Sequence, residues 1–439
     1  MTPDLATEIV ADLLRSAWIV EEARAATYER WAKSEERWLE SAARAHDRAS
    51  IVAAALARHD RSPDAGFVEP HTAWIESLVG TGPHDAPLAD FFLARLGDWV
   101  DGHAADFTAD PDSLRKLGVD EKNGLSFPDQ LPEAPGYEPL APVELEPPGE
   151  TRFRFGILAD MHIGSPHAET AVRAAIGDLN RSGAELVVQL GDITDHGDLG
   201  EFETAQSILA ELEMPYLTMM GNHDVMSFEE ERLTGREYFE RFFNRVPDGV
   251  LHEHKGIRFA VLDSVEHAMS PFPPFNLVTG AFESGQGGAI VRGAFSVPQH
   301  EILAEVAAPG APPAFVFLHH PPQPFSSFPP ILFGLRDVDS GRLHATVDSG
   351  NVWGVFAGHT HRNARPRAFD KVVVQEVAIP RDYPFGYALV DVTDNGFAYR
   401  FLQLSDESLL RDGYSRSGAI HRNYGRGPED ARGFEWTKG

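Results

Sequence analysis

Cysteine is absent from all 439 residues of this chain. That excludes disulfides, thiolate zinc sites, iron–sulfur clusters and a cysteine nucleophile at once. Long hydrophobic runs are missing too, since no stretch approaches the roughly 18 uninterrupted apolar residues of a membrane helix. The opening MTPDLATEIVADLLRSAWIV carries acids among its apolar residues and lacks the basic start and apolar run of a secretory signal. The expected setting is therefore cytoplasmic, with no membrane partner. Basic residues are scarce, 38 Lys and Arg against 67 Asp and Glu, which leaves a net charge of −29. Such a surplus repels polynucleotide backbones, so nucleic acid is not an expected partner.

What is present is a globular composition. With 42% hydrophobic and 24% charged residues, the chain can bury a large core. Its length suits two or three domains. Residues 1–106 are rich in Ala, Glu, Arg, Trp and Leu, and Ile9, Leu13, Leu14, Ile19, Tyr28, Trp31 and Trp38 recur at helical spacing. The pattern predicts helices over 5–33, 35–59, 71–80 and 86–104, forming an N-terminal helical bundle with Trp31 and Trp38 in its core. Residues 107–150 read as an acidic Pro-rich linker, with seven prolines between Pro128 and Pro148. From Thr151 to Leu404, short apolar runs alternate with helical stretches, the pattern of an α/β domain covered on both sheet faces. Asp394-Asn395-Gly396 between two apolar runs marks a hairpin. Residues 405–439 read as a C-terminal tail.

The chemistry-bearing residues follow the apolar runs directly. FRFGILA leads into Asp160 and His162, ELVVQL into Asp192 with Asp195 and His196 behind it, and PYLTMM into Asn222, His223 and Asp224. AFVFLH ends at His319 and His320, and VWGVFAG at His359 and His361. Side chains at the carboxyl ends of successive strands can meet in one crevice. Asp160, Asp192, Asn222, His162, His319, His359 and His361 offer seven oxygen or nitrogen donors and no sulfur. That set suits divalent ions such as Mn, Fe, Co or Zn. It exceeds the three or four donors of a single catalytic zinc. If one carboxylate bridges, the set serves two ions roughly 3.5–4 Å apart, a clamp for in-line phosphoryl displacement.

In this order, D-x-H, G-D, G-N-H-D, H-H-P-P and G-H-x-H resemble the calcineurin-like metallophosphoesterases, over about residues 152–395. The G-N-H-D and H-H-P-P forms are most similar to the glycerophosphodiesterase and class III cyclic-nucleotide phosphodiesterase branch. The resemblance implies an α+β four-layer sandwich, two packed mixed β-sheets flanked by helices. It implies Asp160, His162 and His361 on one metal ion, Asn222, His319 and His359 on the other, and Asp192 bridging. The implied reaction is hydrolysis of a phosphoric ester, a small phosphodiester first, by metal-bound hydroxide. His223 would assist the leaving group and Asp224 would orient His223. His196, His320 and Asp195 are candidates for substrate contact or for supporting the ligands. Purple acid phosphatases, a related branch, carry a tyrosine three residues after the bridging aspartate; Asp195 stands there, so a tyrosinate-ligated ferric site is not implied.

Two other functions fit the same residues, a phosphomonoesterase and a non-enzymatic scaffold that binds partners. The bundle or the tail could also join copies in a homo-oligomer. His46, His59, His71, His84 and His103 are isolated and lack the Glu-x-x-His pairs of a di-metal bundle. The insertions 265–298 and 323–347 hold Phe272, Phe275, Phe282, Phe295, Phe325, Phe328 and Phe333, read either as a substrate rim or as loops packed on their surroundings.

Overall fold

The structure, a computed structural model, describes residues 38–57 with scattered positions between 18 and 36, and residues 137–438 except 138, 226–227, 230–231, 234, 244–248, 266–274, 277–280, 283–292, 323–333, 336, 366–371, 418–421 and 423–424. The chain forms two compact units. One comprises Met1–Ala134, Phe275–Phe282 and Ser327–Leu332; the other comprises Pro135–Pro274, Glu283–Ser326 and Phe333–Gly439.

In the first unit, α1 (Trp38–Ala57) stands where the periodicity predicts a helix over 35–59. It buries Ala42, Ala45, Ala49, Val52 and Leu56, three or four residues apart, as one apolar stripe. Ala25 and Tyr28 are buried upstream of it at helical positions. His46 faces Glu29 at 3.2 Å and Glu22 at 3.5 Å, so ion pairing accounts for it. The segments 71–80 and 86–104, together with Trp31 and the Trp38 side chain, lie outside the described residues. So do His59, His71, His84 and His103.

The remaining elements run in chain order as β1 (Phe153–Leu158), α2 (Ala168–Arg181), β2 (Leu186–Gln189), α3 (Leu199–Leu209) and β3 (Tyr216–Thr218). Then come the short pair β4 (Phe228–Glu229) and β5 (Arg232–Leu233), α4 (Gly235–Phe243), β6 (Val250–His254) and β7 (Ile257–Leu262). A second short pair, β8 (Phe275–Asn276) and β9 (Ala281–Phe282), precedes α5 (Val297–Val306), β10 (Ala314–Leu318), α6 (Asp337–Ser349), β11 (Val352–Ala357) and β12 (Val373–Glu376). The last are β13 (Gly386–Val392), β14 (Gly396–Gln403), α7 (Glu407–Arg416), α8 (Glu429–Arg432) and β15 (Gly433–Thr437).

Two mixed sheets result, ordered β15-β14-β13-β1-β2-β3 and β12-β11-β10-β7-β6. Within them β1, β2 and β3 are parallel, as are β7, β10, β11 and β12. Side-chain alternation explains why the sheets stack. In β10, Phe315 and Phe317 point to one face, while Ala314, Val316 and Leu318 point to the other. The inward set meets Phe155 and Ile157 of β1, Phe259 of β7, Phe356 of β11 and Tyr399 of β14. The outward residues of the six-stranded sheet pack on α2, α3 and α4. Those of the five-stranded sheet pack on α5 and α6. Helix, sheet, sheet, helix is the four-layer arrangement expected.

One reading changes, and at Phe295 one of two open alternatives holds. Residues 405–439 are not a loose tail: α7 and α8 lie within them, and β15 pairs antiparallel with β14. Phe434 is buried, and Trp436 stacks on Phe397 with ring centroids 5.7 Å apart. Phe295, a candidate rim aromatic, is buried with Leu303 and Leu343 in the core beneath α5 and α6. The backbones of Phe275 and Phe282 are paired in the β8–β9 register. Phe272, Phe325, Phe328 and Phe333 lie outside the described residues. The end of the linker is draped over the second unit, with Tyr137 and Leu140 packed on its core and the Leu140 amide donating to Gln403. No helix among the described residues is long and apolar enough to cross a membrane.

Candidate metal centre

The carboxyl ends of β1, β2, β3, β10 and β11 bring the sequence-predicted residues together. Each side chain sits on the short turn just beyond its strand, and the turns after β1, β2 and β11 are strained. Asp160, His162, Asp192, His359 and His361 all have positive φ, between 37° and 69°. They make up five of the eight non-glycine residues in that region among the described residues. Such backbone costs energy, and where it clusters it marks a site whose geometry is held by its surroundings. Two motif glycines permit the close approach. A Cβ at Gly221 would run into Asp192, and one at Gly358 would stand 2.5 Å from Asp160 Oδ2.

Hydrogen bonds set which nitrogen of each imidazole faces inward. His319 Nδ1 donates to the Leu190 carbonyl at 2.8 Å, and His162 Nδ1 donates to Asp195 Oδ1 at 2.9 Å. Their Nε2 atoms therefore turn toward the centre, the arrangement typical of metal-ligating histidines. His162 Nε2 is 2.9 Å from His361 Nε2 and 3.5 Å from Asp192 Oδ2. His319 Nε2 is 3.0 Å from Asn222 Oδ1, 3.1 Å from His359 Nδ1 and 3.4 Å from Asp192 Oδ2. Asp192 thus stands between two clusters, the position a bridging ligand needs. His359 N donates to Asp160 Oδ1 at 2.7 Å, while Asp160 Oδ2 is buried with no hydrogen-bond partner among the described residues.

These observations fit a pair of divalent ions. Two nitrogens, each about 2.1 Å from one ion and at right angles, stand about 3 Å apart. The spacings above are of that size. Asp160, His162, Asp192 and His361 can hold one ion, and a second group lies around His319 and His359. His320 joins that second group, its Nδ1 2.8 Å from Ser264 Oγ. Charge tells the same story. Burial pushes His162 down to about 4, with His223 adding to the effect, and burial likewise holds His359 and His361 well below the usual range. Neutral imidazole is the form that ligates. Burial raises the Asp160 carboxyl, whereas at Asp192 the charges of His319 and His223 outweigh burial and hold the carboxyl well down. Against burial, Asp192 and Asp160 lift His319 to about 9. Two buried carboxylates draw positive charge to themselves.

The G-N-H-D turn differs from expectation in one contact. Asp224 does not orient His223: its carboxylate accepts from the amides of Ile193, Thr194 and Gly221 and from the Thr194 hydroxyl, at 2.8–3.2 Å. Asp224 therefore ties the turn after β2 to the turn after β3. Burial, reinforced by Asp192, raises its carboxyl to about 6. His223 is held instead by the Asp195 carbonyl, which accepts from Nδ1 at 2.7 Å, and by Asp192 Oδ1, which accepts from its amide at 2.8 Å. Asp195 supports two histidines at once, His162 through its carboxylate and His223 through its carbonyl. His196 lies at the exposed margin, 3.1 Å from Glu201 and 3.6 Å from Asp195.

Sequence reasoning missed the support beneath G-H-T-H. Glu376, at the end of β12, accepts from Thr360 Oγ1 at 2.7 Å and from Arg362 Nε at 2.7 Å and Nη2 at 3.2 Å. Glu376 is 0% exposed and Arg362 is 5% exposed, so the pair brackets His361 from inside the fold. Replacing Glu376 with Gln is expected to lower unfolding stability by about 3 kcal/mol, the usual order for removing one charge of a buried pair. Denaturant unfolding of both proteins checks this; an unchanged midpoint would contradict it. Thr360 and Arg362 adjoin the motif and were visible, but only the fold reveals their partner.

Comparison with known proteins follows the same geometry. Residues 153–363 match the family described as calcineurin-like phosphoesterase. Over 48% of its length the chain is 28% identical to a probable cyclic nucleotide phosphodiesterase of Rhodopseudomonas palustris, covering 72% of that protein. It is 25% identical to a probable cyclic nucleotide phosphodiesterase of Rhodococcus erythropolis, over 44% of this chain and 58% of that one. Among solved structures, a dimetal phosphatase from Danio rerio is similar with 17% identity and a TM-score of 0.42, over 57% of this chain and 96% of that one. A purple acid phosphatase from yellow lupin seeds is similar with 14% identity and a TM-score of 0.41, over 60% and 53%.

Proposed function

We propose that this chain, whose residues 153–363 match the calcineurin-like phosphoesterase family, is a phosphoric ester hydrolase whose substrate is a small phosphodiester. Support comes from the two relatives, whose names carry the phosphodiesterase activity. The observation that carries the metal reading is the gathering of five strained, positive-φ Asp and His residues, Asp192 among them, at one end of the strands. In this reading Asp160, His162 and His361 would hold one ion, Asn222, His319 and His359 would hold the other, and Asp192 would serve both. Divalent ions, when bound, supply Lewis acidity for activating water and neutralising phosphoryl charge.

The chain's own residues do the rest. Asp195 and the Leu190 carbonyl fix His162 and His319 in the tautomer whose Nε2 can ligate. The Asp195 carbonyl fixes the His223 ring through Nδ1–H, so that the imidazolium form would hold its second proton on Nε2 and could give it to the departing oxygen. Asp224 keeps the turns bearing Asp192 and His223 in register. The net charge of −29 disfavours a polynucleotide and favours a small ester.

Hydrolysis of bis(p-nitrophenyl) phosphate and p-nitrophenyl phosphate, compared with added Mn²⁺, tests the substrate class. A higher kcat/KM for the bis-ester is expected. A higher value for the monoester would replace this reading with a phosphomonoesterase.

A further inference from the structure

The loop leaving β12 carries a cation to the metal centre. Arg381 lies within it, its side chain 20% exposed. Its Nε is buried and has no hydrogen-bond partner among the described residues. The ion pair with Asp382 Oδ2 stands at 3.6 Å, too long for a hydrogen bond. The same Asp382 carboxylate oxygen is 3.8 Å from His361 Nδ1, so one carboxylate separates the guanidinium from the Asp160–His162–Asp192–His361 cluster. The charge of Arg381 also acts on Asp160, His162, Asp195 and His361, groups from three different strand ends.

The loop is not loosely placed. The Val377 amide donates to Ala357 at 2.9 Å, Gly386 donates to Ile379 at 3.3 Å, and Phe385 donates to the Asp382 carbonyl at 2.6 Å. Tyr383 and Phe385 are buried on either side of Pro384. Arg381 is thus presented from a fixed backbone, with its Nε–H left without an acceptor among the described residues. A partly desolvated guanidinium is matched by an oxyanion that accepts in its plane, and phosphate oxygens do so with well-suited geometry.

We propose that Arg381 is a substrate-binding residue, its guanidinium donating hydrogen bonds to a non-bridging phosphoryl oxygen of the ester. This deepens the phosphoesterase reading of the site and rests on it. The rival role for the same side chain is structural, a positive charge that offsets the buried carboxylates. The two roles diverge on phosphate affinity.

Orthophosphate binding to the Mn²⁺-loaded full chain, measured by calorimetry for wild type, Arg381→Ala and Arg381→Lys, separates them. Bound metal and the KM and kcat for bis(p-nitrophenyl) phosphate are measured on the same samples. Arg381→Ala is expected to weaken orthophosphate binding about tenfold to a hundredfold and to raise KM comparably, the range for a charge-assisted hydrogen bond. Metal content should match wild type, and Arg381→Lys should recover part of the loss. Unchanged phosphate affinity, or a weakening fully accounted for by lost metal, would overturn the proposal. Failure of the wild type to turn over any ester would count against the phosphoesterase reading alone, since calorimetry needs no turnover.

Discussion

Asp192→Ala is expected to lower phosphodiester turnover by about three orders of magnitude, the size of effect that losing several kcal/mol of metal-supplied charge stabilisation produces. Asp192 Oδ2 lies 3.5 Å from His162 Nε2 and 3.4 Å from His319 Nε2, so one oxygen faces both clusters. Oδ1 also accepts from the His223 amide at 2.8 Å, which couples the bridge to the proposed proton donor. Asp192→Asn keeps the shape and removes the charge, and it should show most of the same loss. Both variants should also hold fewer ions per chain than the wild type. Turnover near wild type in a metal-loaded Asp192→Ala sample would remove the bridge from the account.

His223→Gln should lower turnover by about 10²- to 10⁴-fold, the usual contribution of a positioned proton donor. Its metal content should not change, because His223 is not among the residues proposed to hold either ion and its Nδ1 is engaged by the Asp195 carbonyl at 2.7 Å. The informative measurement is a series of esters with leaving groups of rising pKa. A lost proton donor hurts poor leaving groups most, so the deficit should grow along the series. A deficit independent of the leaving group would mean that His223 only positions the phosphoryl group.

The clustering of these Asp, Asn and His residues was legible in the sequence for a physical reason. Each candidate ligand lies within a few residues of the strand that carries it, and central strands of buried sheets are almost wholly apolar. A run such as AFVFLH followed by a polar pair is conspicuous. What escaped notice shares the opposite property. β3, β6, β12 and β15 are the edge strands of the two sheets, and of these only β3, within the apolar run PYLTMM, stood out. Edge strands are short and polar, so VVQE and GFEWT do not stand out from loops. Glu376 and Arg381 belong to β12 and the loop after it, and they reach the centre only through the stacking of the chain. Asp224 shows a related limit. Its place beside His223 pointed to a contact with that ring, but the turn directs its carboxylate back toward Thr194.

The second unit's core was similarly readable in kind and unreadable in detail. Alternation in Phe315-Val316-Phe317-Leu318 announces a strand with two apolar faces. It does not say that Phe315 and Phe317 meet Phe155 from the other sheet, with centroids 5.3 Å and 5.9 Å away. Nor could it show that Trp436, from a stretch with the composition of a tail, stacks on Phe397. These contacts are long-range and leave no periodic trace.

The most direct test of a two-ion phosphoesterase site is elemental analysis of the purified full chain, run beside hydrolysis of bis(p-nitrophenyl) phosphate before and after chelation. A dinuclear site predicts close to two divalent ions per chain in the active protein, with hydrolysis lost on their removal and regained on their return. Undiminished hydrolysis by a chain holding one ion or none would contradict it.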